Sequence, residues 1–175
     1  MSPIHIVLYQ PEIPQNTGNI IRLCFLNHLK LHLIEPLGFT LEDTALRRAG
    51  IDYWDKFQAE VEIHADWDAF AARHPDVETA GRFFSAHTQR SFWSMEGEEK
   101  DRGVGGPAGP VYLVFGRETA GLPQELHARY RDRLVTIPKR NPEGRSLNLS
   151  NAVAVAAYEV MRREALDPSP PGLAK

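Results

Sequence analysis

The chain has 175 residues, 42% of them hydrophobic and 25% charged, with a formal net charge of −3; this is the mixture of one globular domain, not of a disordered or two-domain chain. Its one cysteine, Cys24, excludes an internal disulfide framework and any CxxC metal cluster, and points to a reducing cytoplasmic setting. No apolar run approaches the ~18 residues of a membrane span, and Met1-Ser2-Pro3-Ile4-His5-Ile6 lacks the basic-then-apolar pattern of a signal peptide.

In chain order, apolar runs predict strands at Ile4–Tyr9, Leu31–Glu35, Val61–His64, Arg82–Ala86, Val111–Gly116 and Leu134–Pro138. Between and after them, helical patterns cover Thr17–His28, Asp66–Arg73, Pro123–Arg131 and Leu149–Ala165. Several strand runs are nearly continuous, as parallel strands covered on both faces require. Strands alternating with helices imply a βαβ succession, so the expected fold is α/β with a mostly parallel sheet and helices on both faces. One domain over residues 1–166 is expected, followed by a flexible tail at 167–175 that carries three prolines. Glu96–Pro110 reads as an exposed loop rich in charge, Gly and Pro. Its Gly103-Val104-Gly105-Gly106 is no dinucleotide fingerprint, because it precedes a strand and does not open a helix.

Charge is unevenly spread. Residues 41–102 hold fourteen Asp/Glu against eight Lys/Arg, whereas 127–145 hold six Lys/Arg against Asp132 and Glu143. Such a basic stretch is either a solvated loop or a local phosphate-binding face, since screening confines each field to about 8–10 Å.

Chemistry in an open parallel sheet sits beyond the carboxyl ends of its strands, and three of the segments there are unusual. Pro11-Glu12-Ile13-Pro14-Gln15-Asn16-Thr17-Gly18-Asn19-Ile20-Ile21-Arg22 follows the first strand; Asn16 or Thr17 can cap the next helix, and Gly18 in its first turn suits a close backbone approach. Gly116-Arg117-Glu118-Thr119-Ala120-Gly121-Leu122-Pro123 follows a later one; a strand-end glycine admits a ligand to the backbone, and Glu118 at the mouth can order Asn, Arg or a ligand hydroxyl. The last strand leads into Ser146-Leu147-Asn148-Leu149-Ser150-Asn151, which holds more small polar groups than a helix cap needs and can present amides to a ligand. Each segment also has a purely structural reading as a capped helix or a turn.

Together with Glu35-Pro36-Leu37-Gly38-Phe39 and Leu46-Arg47-Arg48-Ala49-Gly50-Ile51-Asp52-Tyr53, these segments closely resemble the motifs of the SPOUT-superfamily RNA 2′-O-methyltransferases, and within them the small TrmL-type tRNA wobble-position enzymes. The resemblance runs from about residue 4 to residue 163. It implies a C-terminal trefoil (α/β) knot, an exception to the rule against threaded chains. It also implies an S-adenosyl-L-methionine site at Ala86, Gly116, Ile137 and Ser146, and a homodimer in which Asn16 and Arg22 work near the partner's cofactor. Arg22, Asn16, Glu118, Ser146 and Asn148 are the implied catalytic set. Arg117 stands where the resemblance leads one to expect proline in many relatives, and the loop Lys139-Arg140-Asn141-Pro142-Glu143 is locally distinct.

The activity so implied is methyl transfer from S-adenosylmethionine to a ribose 2′-hydroxyl at the wobble nucleotide of tRNA, cytidine or uridine, with the anticodon stem-loop as partner and no membrane. Anticodon nucleotides are single-stranded and can be splayed into a small site. Two alternatives stand beside it: a non-catalytic RNA- or nucleotide-binding module of the same fold, and a 2′-O-methyltransferase acting on another RNA site. No metal is expected, because the seven histidines show no HExxH or clustered ligand spacing.

Overall fold

The computed structural model describes residues 3–40, 60–95, 109–141 and 143–166. The motif at 46–53, most of the loop 96–110 and the tail 167–175 lie outside them. Six strands, β1 (Ile4–Tyr9), β2 (Lys30–Ile34), β3 (Val61–His64), β4 (Gly81–Phe84), β5 (Val111–Phe115) and β6 (Leu134–Val135), form one sheet in the order β3-β2-β1-β5-β4-β6. Every ladder in it is parallel. Among the described residues the α-helices are α1 (Pro14–Asn27), α2 (Trp67–Arg73), α3 (Val77–Ala80), α4 (Gln124–Arg129) and α5 (Leu149–Leu166).

Alternation along the strands builds two cores. Ile6, Leu8, Leu31, Leu33, Leu113 and Phe115 face a layer made of Ile20, Ile21 and Cys24 from α1 and Val153, Ala156, Ala157 and Val160 from α5. The intervening residues Val7, Ile34, Tyr112 and Val114 face Trp67, Phe70, Val77, Leu126 and Tyr130 from α2 to α4 and the turn that follows. A strand buried on both faces has no reason to alternate apolar with polar residues, which is why these runs read as continuous. The α5 stripe at 153, 156, 157 and 160 follows the helical period, so one face meets the sheet while Val155 and Tyr158 remain exposed.

Two departures from expectation have local causes. Helix α1 begins at Pro14, which occupies a first-turn position where its missing N–H costs nothing; Ile13 is the N-cap and offers no side-chain bond. Asn16 and Thr17 therefore lie inside the helix and do not cap it. Strand β6 is short because the chain leaves the sheet after Val135, keeping only a bridge between Ser91 and Thr136.

The histidines, which show no clustered spacing in the sequence, also depart from expectation. Parallel pairing sets His32 of β2 level with Glu62 of β3, and His64 follows two residues further along on the same face. His5 of β1 and His74 beyond α2 close over the same spot, so four imidazoles meet within a few ångströms. Burial is the main force on them: it lowers His5 to a pKa of about 4 and His32 to about 2, and lowers His64 as well. Neighbouring His74 adds to the depression at all three.

Because the unfolded chain binds these protons first, the stability due to the neutral cluster is complete above about pH 6.5 and declines as pH falls toward 4 and below. The urea denaturation midpoint is expected to drop between pH 7 and pH 5, before carboxylates titrate, and His5→Phe should flatten that slope. A midpoint constant over this range would show that the cluster is not held neutral.

Candidate functional site

The connections leaving β1, β5 and β6 converge above the carboxyl ends of the strands. Glu118, two residues beyond the glycine that follows β5, projects its carboxylate at the start of α1. It accepts the backbone N–H of Glu12 (2.8 Å) and of Ile13 (3.2 Å) and the side-chain amide of Asn16 (3.1 Å). A helix whose own N-cap residue carries no acceptor is thus closed by a residue more than a hundred positions away, and the anion lies where the helix dipole favours it. The reciprocal contact runs the other way. Glu12 accepts the backbone N–H of Thr119 (3.0 Å) and its hydroxyl (2.8 Å). Two turns, each carrying a carboxylate, clasp each other.

Asn16 extends the clasp to the third segment: its Oδ1 accepts the amide of Asn148 at 2.9 Å. Asn148 Oδ1 in turn accepts the backbone N–H (2.9 Å) and hydroxyl (2.8 Å) of Ser150, while its own carbonyl accepts the N–H of Ala152. Asn148 is therefore both the cap of α5 and a hydrogen-bond partner of Asn16.

Glycine at 116 has a different cause from the one expected. A Cβ there would collide with the backbone of Gly121 and Leu122, not with space open to a ligand. The turn is closed by a reciprocal pair, Arg117 N–H to Gly121 O (3.0 Å) and Gly121 N–H to Arg117 O (2.9 Å), with Gly121 at φ +70°. Proline at 117 could not donate the first of these bonds. A side chain at 116 consequently damages the turn itself. Gly38 serves the same assembly: its N–H bonds Pro11 O at 2.9 Å, and a Cβ would meet the backbone of Glu12.

These turns wall a cleft of about 690 Å³. Every expected cofactor contact, Ala86, Gly116, Ile137 and Ser146, lines it, and so do Asn16, Glu118 and Asn148. Ser146 is exposed within it. Arg22 is not among the lining residues; it stands on the exposed side of α1, nearly two turns past Asn16. The floor is apolar, with Phe84 and Phe115 stacked at 4.4 Å and Leu149 beside them.

Three lining residues, Ser85, His87 and His127, went unread in the sequence. His127 Nε2 lies 3.3 Å from Ser85 Oγ, which also accepts the N–H of His87. Burial, then His87, lowers the His127 pKa. The available signal was Pro123: a helix opening directly after the Gly116–Gly121 turn must return one face to the cleft.

The basic stretch divides. Arg129 pairs with Glu78 (2.6 Å) and Asp68 (3.4 Å), and Arg133 donates to the carbonyl of Thr79, tying α4 and the turn after it to α2 and α3. Lys139 and Arg145 border the cleft, and Arg140 is exposed between them.

Truncation of Glu118 to Ala should strand three donors at once, each costing about 1–3 kcal/mol if left buried. Since the site is partly open to water, a total below the ~3 kcal/mol minimum of that sum, about 2 kcal/mol, is expected in urea denaturation, together with loss of ligand binding in the cleft. Unchanged stability and affinity would mean that the clasp does not order the site.

The model of the SpoU rRNA methylase family matches residues 3–158. A tRNA (cytidine(34)-2'-O)-methyltransferase of Burkholderia cenocepacia (strain HI2424) is 47% identical over 161 residues, covering 91% of this chain and 94% of the relative. A solved structure concerned with "the 2-OH methylation of C/U34 on tRNA" has 40% identity and a TM-score of 0.77, covering 94% of this chain and 97% of that one. The AviRb methyltransferase of Streptomyces viridochromogenes in complex with AdoMet has the same fold at 18% identity, with a TM-score of 0.66 and coverage of 94% of this chain and 59% of that one. With the match spanning both the sheet and the clasped turns, the chain belongs to the SpoU rRNA methylase family.

Proposed function

We propose that the protein transfers a methyl group from S-adenosylmethionine to the ribose 2′-hydroxyl of nucleotide 34 of tRNA, cytidine or uridine, in the cytoplasm, as a homodimer. The observation that carries this reading is the clasp of Glu118, Asn16 and Asn148 at the mouth of the cleft, in a chain so similar over nearly its whole length to a tRNA (cytidine(34)-2'-O)-methyltransferase.

The cleft fits the methyl donor. Its volume is in the range of small-molecule sites, it combines an apolar floor with the backbone polar groups of a tight turn, and Ala86, Gly116, Ile137 and Ser146 would hold the ligand. When bound, the donor supplies an electrophilic methyl on a sulfonium. The trefoil knot belongs to the same reading, supported by a chain that borders the cleft at both Thr136–Lys139 and Arg145–Leu149 before α5 packs on α1 and β5.

Arg22 stabilises the 2′-alkoxide as it forms and orients the adjoining phosphate. A guanidinium stays protonated and is no general base, but its planar fork holds oxyanions in two directions. The hydroxyl proton passes to an RNA phosphate or to water. Asn16 and Glu118 fix the turn from which α1 carries Arg22, while Lys139, Arg140 and Arg145 meet the RNA backbone. Arg22 stands away from the cleft of its own chain, and the dimer accounts for that. It lies one turn before the exposed Leu26 (59%), and α1 packs beside α5, whose Val155 (39%) and Tyr158 (56%) are also exposed. Covering these side chains with a second copy carries Arg22 into an interface and toward the partner's cleft.

The test is single-turnover methyl transfer from labelled donor to tRNA, with tRNA already methylated at position 34 as control. Arg22→Ala and Arg22→Lys should both fall by about 10²–10³, with donor affinity nearly unchanged and sedimentation still reporting a dimer. A near-normal rate for Arg22→Ala would remove it from catalysis. Donor binding with no transfer by the wild-type chain would favour the non-catalytic module, and transfer to the control would point to another RNA site.

A further inference from the structure

Remote from the cleft, on the side of the sheet that packs against α2, His32 of β2, Glu62 and His64 of β3 and His74 beyond α2 each turn one ligand atom toward a common point. The four atoms all lie within 4.8 Å of one another. None of these residues lines the cleft. We infer that these four residues form a binding site for a divalent transition-metal ion, zinc foremost, which staples the edge strand β3 and the end of α2 to the sheet.

A hydrogen-bonded imidazole chain explains part of the arrangement: His5 Nδ1 is 2.8 Å from His32 Nε2, and His32 Nδ1 is 3.2 Å from His64 Nε2. It does not explain why the carboxylate and the fourth ring converge there too. Glu62 Oε2 lies 3.3 Å from His74 Nε2 and 4.0 Å from His64 Nε2. Zinc bonds of about 2.0–2.1 Å in tetrahedral geometry put neighbouring donor atoms ~3.3 Å apart. Two of these three separations already match that edge and the third must close by about 0.7 Å, while the other three edges of the tetrahedron start from within 4.8 Å. Three imidazoles with one carboxylate form a donor set that suits zinc, and four protein ligands leave no position open for a substrate, as in a structural site.

The surroundings agree. His32 directs Nε2 at His5 Nδ1 (2.8 Å), so a proton on Nε2 leaves the Nδ1 lone pair facing the centre and makes His5 the outer partner that fixes the ring. Burial keeps His32 and His64 in the neutral form that metal binding requires. One group opposes the ion. Arg73 Nε sits 3.0 Å from Glu62 Oε2, but its side chain is 69% exposed and can turn out into water. Arg73 is the counter-cation that holds the carboxylate when the metal is absent.

The experiment titrates chelator-treated full-length protein with Zn²⁺ by calorimetry, and with Co²⁺ as an optical probe of tetrahedral coordination. One equivalent of Zn²⁺ should bind saturably and raise Tm, and Co²⁺ should give intense tetrahedral bands. His74→Asn and Glu62→Gln should each weaken binding at least about 100-fold, more than the loss of an outer partner does. Arg73→Gln should tighten it, an arm that keeps the test decisive if a cluster variant fails to fold. His28→Asn, a change on an exposed histidine whose left-handed backbone suits asparagine, should leave binding intact. No saturable binding would mean a neutral histidine network only. Binding unaltered by His74→Asn and Glu62→Gln, or lost in His28→Asn, would place the ion elsewhere and overturn the assignment.

Discussion

A single carboxylate, that of Glu118, takes three N–H donors from the turn that launches α1, and the geometry of the cleft depends on that meeting. Without an acceptor of its own at Ile13, the helix would begin with exposed donors and a free choice of direction. With Glu118 in place, the turn after β1 is fixed to the turn after β5, and Asn16 is aimed at Asn148. Glu12 and Thr119 repeat the connection in reverse, so neither turn can shift without breaking bonds on both sides. Charge-assisted bonds of this kind are about twice as strong as neutral ones. The cleft is therefore held in shape before any ligand arrives.

The sheet serves the two faces differently. Toward α1 and α5 it presents aliphatic residues and the aromatic pair Phe84 and Phe115, a dry floor that ends at the cleft. Toward α2 it presents rings with polar edges, including Tyr112, His5 and His32. Buried polar groups need partners, and the histidines find them in one another. Tyr130 solves the same problem by joining Trp67 to Glu78 through its hydroxyl, at 3.2 and 2.8 Å.

Much of this architecture was legible because it is local. Ile4–Tyr9 and Val61–His64 form strands over the spans their apolar runs define, and Asp66 caps α2 through Ala69 N–H as an aspartate before an apolar helix should. The three polar segments mark the cleft because chain topology delivers strand ends to one place. Reading failed where the deciding contact was remote. Asn16 looks like a cap until Glu118 is brought to it, and Gly116 looks like an opening for a ligand until Gly121 folds back against it. The histidines at 5, 32, 64 and 74 have no motif spacing because pairing between three strands gathers the first three and the end of α2 brings the fourth to them. The basic stretch gives six cations with no sign of which are committed to Glu78, Asp68 or a backbone carbonyl.

The bond between Asn16 and Asn148 joins positions 132 residues apart. Closing so long a loop is slow, and contacts of this separation form after local structure is in place. During synthesis, β1 and α1 are made first, yet the partner that aligns Asn16 arrives only with the segment opening the last helix. A nascent chain can therefore assemble most of its sheet while its cleft remains unset. Competence is acquired late and all at once, and a chain cut short before α5 lacks both its site and part of the layer that covers one face of its sheet.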